Sequence, residues 1–248
     1  FSQNKQKDIN GFVLNVTSSS DLSGLPQSAI NLAKETATNR GLDGWAFTLQ
    51  APSYIPFMGY CDNEGLRKQM YYAYNTICTH DNDYNNQEIV REIVNIRRKI
   101  AQLLGYKNYA EYVLSKRMAN SAVVVVDFLH SLLDSYKTRA VDEVTEVECY
   151  AKRLTGSDSY QLTPWDFSYY SNKLKEYKFN VNSELLRPYF ELSRVLNAVF
   201  NLSTRLYGIS FVRNRDLPVY HEDVEAYEVY DEDGTFLALL YCDFYSHP

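Results

Sequence analysis

From Ser121 to Leu154, apolar side chains return at helical steps: Val125, Phe128, Leu132, Tyr136, Ala140, Val144, Val147, Ala151 and Leu154. This is the longest periodic pattern in the chain. A stripe of that period specifies one helix, capped near Ser121 and broken at Gly156-Ser-Asp-Ser. The run Val123–Val126 favours a strand locally, and the stripe overrides that propensity. A chain organised around such a helix is expected to be mainly α.

The flanking segments agree. Leu66, Met70, Ala73 and Ile77 mark a helix that starts at Asn63. Ile89, Ile93, Ile96, Ile100 and Leu103 mark another, stopped at Leu104-Gly105. Further helices are expected over Pro26–Arg40 with Gly41 as the stop, Asn108–Arg117, Trp165–Tyr177 after Pro164, and Leu192–Tyr207 before Gly208. The β component is small. Phe12–Val16 and Trp45–Leu49 read as two strands that can pair. Ala226–Tyr230 and Thr235–Tyr245 flank the acidic turn Asp231-Glu-Asp-Gly234 and read as a C-terminal hairpin. Its second strand, FLALLYCDFY, is apolar on both faces, a pattern that belongs under cover inside a sheet.

Composition excludes several functions. Of 248 residues 45% are hydrophobic, with only ten Gly and seven Pro, which argues against a disordered protein. Twenty-two Tyr suit broad, partly wet packing between helices. The net charge is −6 and Lys and Arg are scattered, so no nucleic-acid partner is expected. No apolar run has transmembrane length, and no membrane partner is expected. The four cysteines, Cys61, Cys78, Cys149 and Cys242, have no metal-knuckle spacing and read as buried free thiols. No signal-like segment opens the chain. The expected compartment is the cytoplasm, with the periplasm as the alternative. The first residue is Phe1 rather than Met, so the chain is expected to be a piece of a longer one.

Candidate chemistry is sparse. There is no nucleophile elbow and no phosphate-binding glycine loop. His80 falls in the polar turn HDNDYNN; Asp81, Asp83 and Asn85 alternate as in a calcium loop, without its glycine and distal Glu. His130 lies on the long helix without a ligand partner at helical spacing. His247 is the residue before the last. His221-Glu-Asp-Val-Glu225 shares two letters with the zinc motif His-Glu-x-x-His, whose two histidines share one metal from one helix face. Pro218 and the strand-like Val224–Val229 make this segment extended, which would hold His221 and Glu225 about 13 Å apart. On that reading the match is a coincidence. No catalytic or metal-binding residue is assigned, and the substrate-binding residues are unknown.

Several strings, read together, are more specific. LSGLP (22–26), APSYIPFMGYCDNEGLRKQMYYAYNT (51–76), KIAQLLGYKNYAEYVLSKRMA (99–119), TPWDFSYYSNKLKEYKFN (163–180), LLRPYF (185–190) and VYHEDVEAYEVYDEDGTFLALLYCDFY (219–245) resemble, in order, the thimet oligopeptidase, neurolysin and bacterial peptidyl-dipeptidase family of zinc metallopeptidases. The peptidyl-dipeptidase branch is the better match. The resemblance implies a neurolysin-like helical scaffold with a deep channel and hydrolysis of short peptides. It also implies a zinc ion held by an HEFGH-like helix and a further Glu. None of that metal machinery falls within the matched strings. What carries over is scaffold: Trp165, Asp166, Tyr169 and Tyr170 match a helix start, with Asp166 placed to cap or salt-bridge, and Tyr54 and Pro56 match a turn after a strand.

The expectation is therefore mainly α, a neurolysin-like helical scaffold with a few short β-strands and a C-terminal β-hairpin. Residues 1–248 are read as a single internal scaffold region, or channel wall, of a larger zinc-dependent oligopeptidase or peptidyl-dipeptidase. Zinc belongs to the parent enzyme, with none expected on this chain. The catalytic part, bearing the HExxH motif, lies beyond residue 248, and this chain alone is expected to be inactive. Partners are short peptides and that missing C-terminal catalytic region. Self-association through residues 235–245 is expected, centred on Phe236, Leu239, Leu240, Tyr241 and Phe244. Two alternatives differ in class: a non-catalytic helical module that binds protein or peptide, and a complete enzyme with an unrecognised dyad.

Overall fold

The computed structural model describes residues 1–181 and 183–245, so His247 lies outside the described residues. Helices dominate, as the periodicity predicts, and the chain divides into two compact units, Phe1–Val181 and Asn182–Pro248.

The first unit opens with α1 (Ser2–Gly11), a polar helix without an apolar stripe, which the sequence pattern does not announce. Ile9 anchors it to the core. Strand β1 (Leu14–Val16) and helix α2 (Gln27–Asn39) follow, then β2 (Trp45–Phe47). The two strands pair antiparallel, Leu14 opposite Phe47 and Val16 opposite Trp45. Both are shorter than expected. Phe12 ends α1, and the Thr48 N–H is donated to the Ser53 hydroxyl at 2.9 Å instead of to a strand. Ala29, Ala33 and Ala37, at four-residue steps, present a small-residue face that is buried as α2 packs along β2.

Next comes α3 (Ala51–Tyr60), where the reading of Tyr54 and Pro56 as a turn is corrected: both are helical. Pro52 is tolerated in the first turn, but Pro56 cannot donate a hydrogen bond and crowds the preceding turn. What outweighs that cost is burial. Phe57 is fully buried with its ring edge against Phe47, centroids 4.6 Å apart, and Met58 packs in the same cluster. Helix α4 (Glu64–Asn75) is capped by the Asn63 side chain, which accepts the Leu66 N–H. Together with Leu14, Val16, Leu49, Cys61 and Met70 these residues form the main core.

Helices α5 (Gln87–Leu103), α6 (Tyr109–Leu114), α7 (Ala122–Thr155) and α8 (Phe167–Phe179) complete the unit. Ser121 caps α7 as the sequence predicts, its hydroxyl accepting the Val124 N–H, and the Asn108 side chain caps α6. Gly156, at φ +66°, takes the left-handed turn that ends α7. Of the long stripe, only Val147 and Ala151 are buried, against Tyr169 and Tyr170 of α8. Phe128, Leu132, Tyr136 and Val144 are exposed. Cys149 is also exposed, against the expectation of a buried thiol, because it lies off the short buried part of the stripe; Cys61, Cys78 and Cys242 are buried.

The second unit contains α9 (Ser183–Leu186), α10 (Leu192–Tyr207) and strands β3 (Ser210–Arg213), β4 (Glu225–Tyr230) and β5 (Phe236–Cys242), in sheet order β3-β4-β5. The expected hairpin is present, with Tyr227 opposite Leu240 and the turn closed by Asp231 N–H to Thr235 C=O at 2.8 Å. Strand β3 was not expected. Its four residues are too few for a periodic signal, and it is held by pairing with β4 and by Phe211 stacking on Phe200, centroids 4.1 Å apart.

Candidate functional site

The first unit concentrates its polar interactions around one buried ion pair. Arg67 enters from the first turns of α4, where it shares a face with Met70, three residues on. Asp166 stands at the residue before α8. Arg67 is 2% exposed and Asp166 0%. The guanidinium donates from Nε to Asp166 Oδ1 at 3.2 Å and from Nη2 to the same oxygen at closer range. Its Nη1 donates to the Cys61 and Asp62 carbonyls, at 2.6 and 3.1 Å. The Tyr169 ring lies beneath it, 4.1 Å from the guanidinium carbon. The other carboxylate oxygen of Asp166 accepts the hydroxyls of Tyr160 and Thr163, at 2.6 and 2.7 Å.

A second carboxylate continues the network. Asp62 accepts from Tyr169 Oη at 2.6 Å and from Ser23 Oγ at 2.7 Å, with Lys173 Nζ at 3.5 Å. Burial works to raise its carboxyl, but the hydrogen bonds from Tyr169 and Ser23 and the Lys173 charge outweigh this and hold it below its ordinary value. The tyrosines move the other way. Burial, then the hydrogen bond and charge of Asp166, push Tyr160 far up; burial and Asp62 do the same to Tyr169. The Cys61 thiol is pushed up to about 11, chiefly by burial. Every one of these groups is thereby held in its resting protonation state at neutral pH. The donors and acceptors of the pair are spent within the cluster, on each other, on the Cys61 and Asp62 carbonyls and on the Tyr160 and Thr163 hydroxyls, so the cluster fastens α3 and α4 to α8.

Asp166 is thus placed as expected, as a salt bridge; it makes no capping hydrogen bond. Tyr169 and Tyr170 lie in this network, and Trp165 borders it with its indole N–H 3.3 Å from Glu64 Oε1. Sequence reasoning passed over Arg67, Asp62, Tyr160 and Thr163. The available signal was a charged residue on the apolar face of α4.

The histidines stand apart. His80 Nε2 is 3.1 Å from Thr76 Oγ1, and His130 is exposed on α7. The reading of residues 221–225 as wholly extended is corrected: His221–Asp223 form a turn, with Val224 N–H bonded to the His221 carbonyl at 3.1 Å, and β4 begins at Glu225. The turn forms because Val224 and Ala226 are buried while the polar residues before them face water. Glu225 is engaged by Arg213 at 2.7 Å and by the Tyr227 hydroxyl at 2.5 Å. Among the described residues, no three of His, Cys, Asp and Glu gather to hold a metal ion. The residues present therefore do not fit a zinc ion.

One open cavity of about 520 Å³ in the first unit is lined by Leu49, Tyr74, Ile77, Cys78 and Val90, with Lys5 and Asn86. Of its polar groups, Asn86 bonds Asn4 and the Phe1 carbonyl, and the Cys78 N–H donates to Asp8. In the second unit a cavity of about 490 Å³ lies beside the Arg213–Glu225 pair.

Comparison with known proteins gives a consistent result. Peptidase family M3 matches residues 57–248. The chain is 36% identical over 250 residues to Oligopeptidase A of Escherichia coli (strain K12), covering 99% of this chain and 36% of that protein. It is 33% identical over 227 residues to Dipeptidyl carboxypeptidase of the same organism, covering 91% of this chain and 33% of that protein. It is 25% identical to Probable thimet oligopeptidase of Arabidopsis thaliana, again over 227 residues, covering 91% of this chain and 31% of that protein. The higher identity falls on Oligopeptidase A rather than on the dipeptidyl carboxypeptidase branch to which the quoted strings lean. The chain spans about a third of the length of these relatives.

Proposed function

This chain belongs to peptidase family M3, and from that we propose that it forms the helical scaffold of a zinc-dependent peptidase that hydrolyses short peptides. The observation that carries the proposal is the pairing of near-complete coverage of this chain, at 36% identity to an oligopeptidase, with a central polar network that is closed on itself. Zinc, when present in such an enzyme, supplies a Lewis acid and an activated water. The described residues do not assemble a site for it, and no chemical step is assigned to them. Their contribution is positional. Arg67 and Asp166 lock three helices into a fixed relation, as a catalytic constellation built elsewhere on the same polypeptide requires.

A chimera tests this. This chain is substituted for the matching stretch of the Escherichia coli Oligopeptidase A, and hydrolysis of a short peptide is measured with zinc supplied. Retained hydrolysis, lost when Asp166→Ala is added, is the expected result. A folded, zinc-loaded chimera without activity would overturn the scaffold assignment.

A further inference from the structure

We draw no further inference here: the strongest candidate, the exposed apolar surface patch along α7 formed by Phe128, Leu132, Tyr136 and Val144, is an unpartnered helix face, and nothing in the structure shows what covers it in a chain that spans about a third of the length of its relatives.

Discussion

Asp166 shows how little a single residue type says about cost. With both of its oxygens occupied, its removal strands the Arg67 guanidinium in a buried site. Asp166→Ala should lose about 3–5 kcal/mol in urea unfolding, whereas the double change Arg67→Met, Asp166→Leu should recover most of that. Asp62 makes a pH-dependent contribution of known sign. Its folded carboxyl titrates below the ordinary 3.8, so the stabilisation is fully present above that pH and is lost as pH falls through the lower, folded value. The gap in urea midpoint between the unsubstituted chain and Asp62→Asn should close in that acid window and stay constant near neutrality. Gly24 is a third sensitive position. At φ +83°, an added Cβ would meet the Tyr60 carbonyl oxygen at 2.2 Å, so Gly24→Ala should be clearly destabilising by the same measurement. Asp166 was legible as a capping or pairing residue because it opens a helix after Thr-Pro-Trp. Its partner, 99 residues earlier, was not, because no local pattern reports a contact across that separation.

At the scale of elements, helix periodicity located α4, α5, α7 and α10 with nearly correct ends, since caps and stripes are local chemistry. It did not announce α3, where the resemblance matched Tyr54 and Pro56 to a turn and the burial of Phe57 and Met58 holds a helix instead. It also overstated what α7 buries. A stripe records the face a helix can cover, and here only the end around Val147 and Ala151 meets a neighbour. The two ends should respond differently to truncation. Val147→Ala should cost about 2 kcal/mol, while Phe128→Ala should change stability by no more than about 0.5 kcal/mol; paired urea titrations check both.

At the scale of the whole molecule, each unit leaves apolar side chains exposed: the stripe of α7 in the first, and the stripe of α10 with much of β5 in the second. A folded protein of this kind should bind a hydrophobic dye strongly in native buffer while still unfolding cooperatively in urea. Dye binding should drop when the same residues are placed in the chimera with Oligopeptidase A. Unchanged fluorescence there would mean that the surface serves no contact within the longer polypeptide. The chain's similarity to M3 relatives three times its length fits a surface of that extent.

By itself the sequence determined the helical class, most helix boundaries, the C-terminal hairpin and the family, because periodicity, caps, turn residues and ordered strings act over a few neighbouring residues. Only the tertiary structure decided that Pro56 stays helical, that Arg67 meets Asp166, that β3 exists, and that His221–Asp223 turn before the strand begins. Each of those outcomes rests on burial or on a partner far away along the chain. Contact free energies of that kind outweigh local propensities of about 1 kcal/mol, and they appear only once the chain has folded.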